Sequence, residues 1–211
     1  MELTLIQQIA IYALPVIFAI TVHEAAHGYA ARHFGDMTAH LAGRITLNPI
    51  RHIDPIGTIL VPALMMMMGG ILFGWAKPVP VDFSRLRDPK RDMLWVAAAG
   101  PASNLVMAIL WVFALKFAGN MPDYVSVPLE LMAQAGIMIN VVLMVLNLLP
   151  LPPLDGGRIA VSLLPHDLAY RFAQVERYGF IILILLLVTG VLSAILQPIV
   201  YSVIGLISWL F

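Results

Sequence analysis

The chain has 211 residues, of which 61% are hydrophobic and 11% charged, with zero net charge and a mean hydropathy of +0.91. Soluble domains carry about a quarter charged residues, so the composition excludes an ordinary soluble globular protein, and nothing in the charge balance points to nucleic acid as a partner. Cysteine is absent, which excludes disulfides and thiolate metal sites.

The long apolar runs are continuous and lack period-two alternation, which predicts a polytopic α-helical membrane protein rather than a barrel. The first predicted span is Leu3–Ala31. It has no basic segment before it and no small-residue cleavage pattern after it, so it reads as a retained span and not a signal peptide. Its second half runs into "TVHEAAHGYAARHFGD" (Thr21–Asp36). On a helix His23 and His27 are four residues apart and share a face. Two imidazoles at that spacing can hold one Zn²⁺, with Glu24 beside them placed to take a proton from water. The plain alternative is a pair of histidines at a helix end. Ionisable residues inside a span are costly, and that cost favours the functional reading.

The next apolar segment, Gly57–Trp75, carries Pro62, Gly69, Gly70 and Gly74. If it re-enters on the side it left, every Lys and Arg except Lys116 falls on one side of the membrane, as the positive-inside rule favours. Irregular backbone at membrane depth must be covered by protein or line water, so re-entry implies a cavity. "MMMM" (Met65–Met68) fills space better than it binds copper, because four consecutive side chains diverge around a helix. "AKPVPVD" (Ala76–Asp82) is a candidate strand edge whose prolines forbid continuous pairing on both sides. Arg85, Arg87, Lys90 and Arg91 form an interfacial basic loop suited to anionic lipid.

Three further spans follow: Met93–Ala118, Pro128–Leu149 and Tyr178–Leu196. The short apolar stretch Ile199–Phe211 comes after Pro198, which is expected to break the helix. The sum is one domain, residues 1–211, with about four to six transmembrane helices and a re-entrant, partly strand-like segment.

A catalytic zinc needs a third protein ligand and an open position. The candidates are His33, His40, His52, Asp36, Asp54 and Asp155. His33 is rotated well away from the His23–His27 face. Asp155 is distinctive, in "NLLPLPPLDGGR" (Asn147–Arg158). There prolines stop a span, and Gly156 and Gly157 let the chain turn tightly and approach a neighbour. A plain helix-ending turn with a solvated aspartate fits the same residues. Charge placement brings the end of the first span and Asp155 to the same side, and His52 is the reserve ligand.

Together these motifs resemble the site-2 protease family of intramembrane zinc metalloproteases. The resemblance rests on "HEAAH" in a span, "NLLPLPPLDGG" at the end of a later one, "GPASN" (Gly100–Asn104), "FGWAKPVPV" (Phe73–Val81) and "GRITLNPIRHIDPIGT", and covers roughly residues 10–160. It implies one zinc ion held by His23, His27 and Asp155, with Glu24 as catalytic base. It also implies three spans around the metal, with strand-like re-entrant elements that receive an unwound substrate. "FGWAKPVPV" is typical of the short bacterial members, and the sequence carries no PDZ or CBS segment.

The resulting expectation is hydrolysis of transmembrane proteins or signal-peptide remnants by an integral protein of the bacterial cell membrane. The site would open toward the cytoplasm. Asn104 and Asn147 are span amides that could donate to the oxyanion, or else bond helix to helix. Two other classes compete: a non-hydrolytic zinc transporter or sensor, and a membrane peptidase for short soluble peptides. Glu24 separates the first of these from a protease, since only a protease requires it as a base.

Overall fold

The computed structural model of the chain describes residues 4–60 and 76–211, and every regular element among them is helical. Helix α1 (Leu5–His33) starts at Thr4, whose side chain accepts the Gln7 N–H while Gln7 returns a bond to the Thr4 backbone. This reciprocal pair satisfies two N-terminal donors that the helix itself cannot. Helix α2 (Pro89–Ala118) starts the same way. The Asp88 carboxylate accepts from Arg91, and the Asp92 carboxylate accepts from Asp88. Helix α3 (Asp123–Asn147) returns, and the short helices α4 (Asp155–Leu163), α5 (His166–Ala173) and α6 (Glu176–Val188) lead to α7 (Val191–Leu210). Four of these, α1, α2, α3 and α7, are long and apolar enough to cross a membrane.

Arg87 fixes the direction of the bundle. Its guanidinium donates to the His33 carbonyl and its backbone N–H to Phe34, so α2 begins where α1 ends and runs antiparallel to it. At the far end of α2, the Phe113 ring meets Phe211 at 5.6 Å between centroids, so α7 runs with α2 and against α3. The α1–α2–α3 interface is built on small residues. Ala19, Ala25, Ala97, Gly100, Ala133 and Gly136 are buried, and Gly136 lies so close to the Trp111 ring that a Cβ there would collide with it. Small residues let backbones approach where lipid supplies no hydrophobic drive. Toward the far end, Ala108, Val112, Ile137, Val141, Met144, Val200 and Ile207 form an apolar cluster joining α2, α3 and α7.

Two expectations need correction. Tyr178–Leu196 is not one span, because the chain turns at Gly190, which adopts φ 75°. That left-handed conformation favours glycine and ends α6 after 13 residues. The break expected at Pro198 does not occur, and Pro198 lies inside the 20-residue α7. A proline inside a membrane helix is tolerated when side chains and neighbours compensate the lost backbone bond. Nearby, the Ser202 hydroxyl donates to the Pro198 carbonyl.

The second correction concerns the strand-like edge. Residues 76–82 form neither helix nor strand. Pro78 and Pro80 have no N–H to offer, and the intervening Val79 N–H donates to the Glu24 carboxylate at 2.6 Å. Most of the predicted re-entrant segment, residues 61–75, lies outside the described residues. Its flanks meet: the Lys77 N–H donates to the His52 carbonyl at 2.9 Å, at the end of the bundle where α1 finishes.

Candidate metal centre

His27 and His23 project from α1 one turn apart, six and ten residues before its end. At about 1.5 Å per residue they lie roughly 9 and 15 Å inside the bundle. Their Nε2 atoms are 3.1 Å apart. The Asp155 Oδ2 lies 3.2 Å from His23 Nε2 and 3.3 Å from His27 Nε2. The three side chains are only 9%, 12% and 13% exposed, so water does little to screen them.

Asp155 arrives through the proline loop. After α3 ends at Asn147 the chain passes a cis Pro152-Pro153 peptide and starts α4 at Asp155. A Cβ on Gly156 would collide with the Leu148 and Leu149 carbonyls, and one on Gly157 with the Pro152 backbone. Only glycine lets the chain double back this tightly. The carboxylate also sits in the first turn of α4, where the helix dipole favours an anion.

The hydrogen bonds behind the imidazoles decide what the cluster can hold. His27 Nδ1 faces the Val96 carbonyl at 2.7 Å, and His23 Nδ1 faces the Asn104 Oδ1 at 2.6 Å. A carbonyl only accepts, so His27 carries its proton on Nδ1. Asn104 Nδ2 donates to the Ala19 carbonyl at 3.2 Å, which turns its oxygen toward His23 and puts that proton on Nδ1 as well. Both Nε2 lone pairs therefore point at the buried Asp155 Oδ2, an oxygen with no hydrogen-bond partner of its own. Three electron-pair donors converge with no proton among them, and a cation resolves the conflict. Tetrahedral zinc with bonds of about 2.0–2.1 Å places its ligands about 3.3 Å apart, and the observed separations match.

Among the described residues this is the one group of three or more His, Asp or Glu side chains arranged to hold a metal. The other candidates are used elsewhere. His33 and His40 are exposed. Asp36 is buried and accepts from Thr38 and from the Asp82 N–H. Asp54 caps the turn at Ile56 and Gly57. His52 is buried with Nε2 against the Thr46 carbonyl. Asn104 is fully buried and bonded to His23, while Asn147 is half-buried and donates to Leu143 one turn back.

Two contributors escaped sequence reasoning. Gly100 on α2 lies against both imidazoles, so that a Cβ there would collide with His23 and His27. "GPASN" signalled a motif but not this contact. Val79 holds Glu24 Oε2 through its N–H. Arg44 in turn holds the segment, donating to the Lys77 and Pro78 carbonyls at 2.9 and 3.3 Å. The alternation of prolines marked the segment as unusual but did not reveal its partner.

Residues 124–189 match the family model described as Peptidase family M50. The chain is 42% identical over 189 residues to "Putative zinc metalloprotease YwhC" of Bacillus subtilis (strain 168), covering 88% of this chain and 83% of that protein. The chain belongs to peptidase family M50. Other relatives are more distant. "Putative zinc metalloprotease Rip2" of Mycolicibacterium smegmatis is 31% identical over 190 residues, covering 88% of this chain and 69% of that protein. Rip2 of Mycobacterium tuberculosis (strain H37Rv) is 28% identical over 200 residues, with 92% and 70% covered. No solved structure matches. Membership in M50 agrees with the four apolar helices in making this chain an integral membrane protein.

Proposed function

We propose that this M50 peptidase is an intramembrane zinc endopeptidase that hydrolyses peptide bonds of membrane-spanning proteins or signal-peptide remnants. The observation that carries this reading is the convergence of His23, His27 and Asp155 at 3.1–3.3 Å, with Glu24 adjacent in sequence to His23 and its carboxylate held by the Val79 N–H. When bound, zinc acts as a Lewis acid that activates water and polarises the scissile carbonyl. His23, His27 and Asp155 would hold it. Glu24 takes the proton of the attacking water and returns it to the leaving amine. The Val79 N–H engages one Glu24 oxygen and leaves the other for that proton. A helical substrate hides its carbonyls, so it must unwind before attack, and the non-helical residues 76–82, which meet Glu24 at Val79, are placed to receive an unwound stretch.

The end of α1 nearest the site is also the basic end of the molecule. Arg32, Arg44, Lys77, Arg85, Arg87 and Lys90 lie on segments joined to it, while Lys116 lies near the opposite end. By the positive-inside rule that end faces the cytoplasm, so water reaches the site from there.

The test uses the full chain reconstituted in lipid with a membrane-spanning peptide and a water-soluble peptide of the same scissile sequence. Glu24→Gln is expected to keep one zinc per chain and lose about 10²–10⁴-fold in cleavage rate. Cleavage of the spanning peptide by this variant at the wild-type rate overturns the assignment. Preference for the soluble peptide by the native protein overturns the intramembrane substrate.

A further inference from the structure

Asn140 lies on α3 and is fully buried, and its side-chain hydrogen bonds go to Asn104 and Gly136. Its Oδ1 accepts from Asn104 Nδ2 at 2.9 Å, and its own Nδ2 donates to the Gly136 carbonyl one turn back at 2.8 Å. Asn104 in turn bonds His23 Nδ1. The three side chains form a chain of hydrogen bonds through the centre of the bundle, from α1 through α2 to α3.

The direction of this chain is fixed by its fixed acceptors. Reversing the Asn140 amide would place its oxygen against the Gly136 carbonyl. Reversing the Asn104 amide would place its oxygen against the Ala19 carbonyl, 3.2 Å from the present nitrogen. Each reversal buries two acceptors face to face, a cost of the same kind as an unsatisfied buried group. With both amides set, the donated protons run one way, from His23 to Asn104 to Asn140 to the backbone of α3.

We propose that Asn140 is a positioning residue for the metal centre: by orienting Asn104 it holds His23 in the tautomer and ring angle that presents Nε2 to the cation. The amide of Asn104 is pinned from two sides, by Ala19 on the helix that carries His23 and by Asn140 on the helix that leads to Asp155. The same hydrogen-bond chain therefore sets the register of α3 against α1, and α3 is the helix that delivers the third ligand. Partners of this kind behind a zinc histidine are commonly worth a factor of about 10–100 in metal affinity.

The inference rests on the metal reading of the site, and the experiment separates the two. Zinc affinity of the purified full-length protein is measured by competition with a fluorescent chelator, with no substrate present. Asn140→Leu is expected to weaken zinc binding by about 10-fold or more. Asn140→Asp, which keeps an acceptor for Asn104, is expected to bind more tightly than Asn140→Leu. In an Asn104→Ala background the Asn140→Leu change is expected to add less than about 2-fold, because the link it breaks is already gone. Should Asn140→Leu not fold, Asn140→Ser is measured in its place; its hydroxyl satisfies Gly136 but is too short to reach Asn104. Native affinity in the single variant overturns the proposal, as does an equal loss in both backgrounds, which is what a purely structural role would give. Failure of the native protein to bind zinc overturns the site reading itself.

Discussion

The bundle of α1, α2 and α3 and the C-terminal pair α6–α7 are both strongly apolar, the C-terminal pair more so, but they are held in different ways. In α3, 44% of the membrane-length window is buried; in α7 it is 17%. The first region buries His23, Asn104 and Asn140 between small residues and bonds them to one another or to backbone. Helix α7 buries only Leu192, Val200 and Ile207 on its inward face. In lipid, apolar surface gains little by leaving one greasy surrounding for another. Specific packing and polar bonds must do the holding, and they are concentrated around the cluster of His23, His27 and Asp155.

Gly100→Val tests the tight region most severely. Its side chain would enter the space of both imidazoles, and zinc content per chain is expected to fall to background, with affinity down more than about 100-fold on the scale of outer-shell losses. Asp155→Asn comes next. It keeps the size of the ligand but removes the anion that two lone-pair donors and a cation require, and zinc affinity measured by chelator competition should drop by at least about 10-fold. Gly179→Ala probes the join between the regions. A Cβ there would collide with the Pro152 carbonyl, pushing α6 away from the loop that carries Asp155. Overpacking of this kind costs about 1–3 kcal/mol, and equilibrium unfolding in micelles should register it together with a severalfold loss of zinc affinity. The smallest effect is expected for Ile207→Ala in α7. Only packing contacts are lost in lipid, so stability should fall by about 1–2 kcal/mol with zinc affinity unchanged. If Ile207→Ala loosens zinc as much as Gly179→Ala does, the two regions are not mechanically separate.

The cluster of His23, His27 and Asp155 that could hold a metal was legible because each residue is announced locally. His23 and His27 share a helical face by spacing alone, and the prolines and glycines around Asp155 mark a chain reversal before any contact is known. The first three spans were legible from apolar length, since nothing but helix satisfies so long an apolar backbone in lipid. What the sequence hid depends on which helix stands opposite. Gly100 is an ordinary helical glycine until α1 is placed against it, and Asn140 is one polar residue in an apolar run until Asn104 reaches it. The C-terminal boundary was misjudged because Pro198 looked like the stronger breaker. The turn is instead made by Gly190, whose positive φ is a property of the backbone path and leaves no periodic trace in the sequence.

That turn also sets the topology of the whole chain. Helix α6, at 13 residues, extends about 20 Å, short of a hydrocarbon core of roughly 30 Å. The final crossing therefore begins at Gly190 on the same end as the metal loop and finishes at Phe211 beside Phe113. Residue 5, where α1 starts, lies at that same end. Enzymatic reporters fused next to Thr4 and after Phe211 should thus give matching signals, both on or both off, whichever way the protein is inserted. A fusion in the loop after Leu164, between α4 and α5, should give the opposite one.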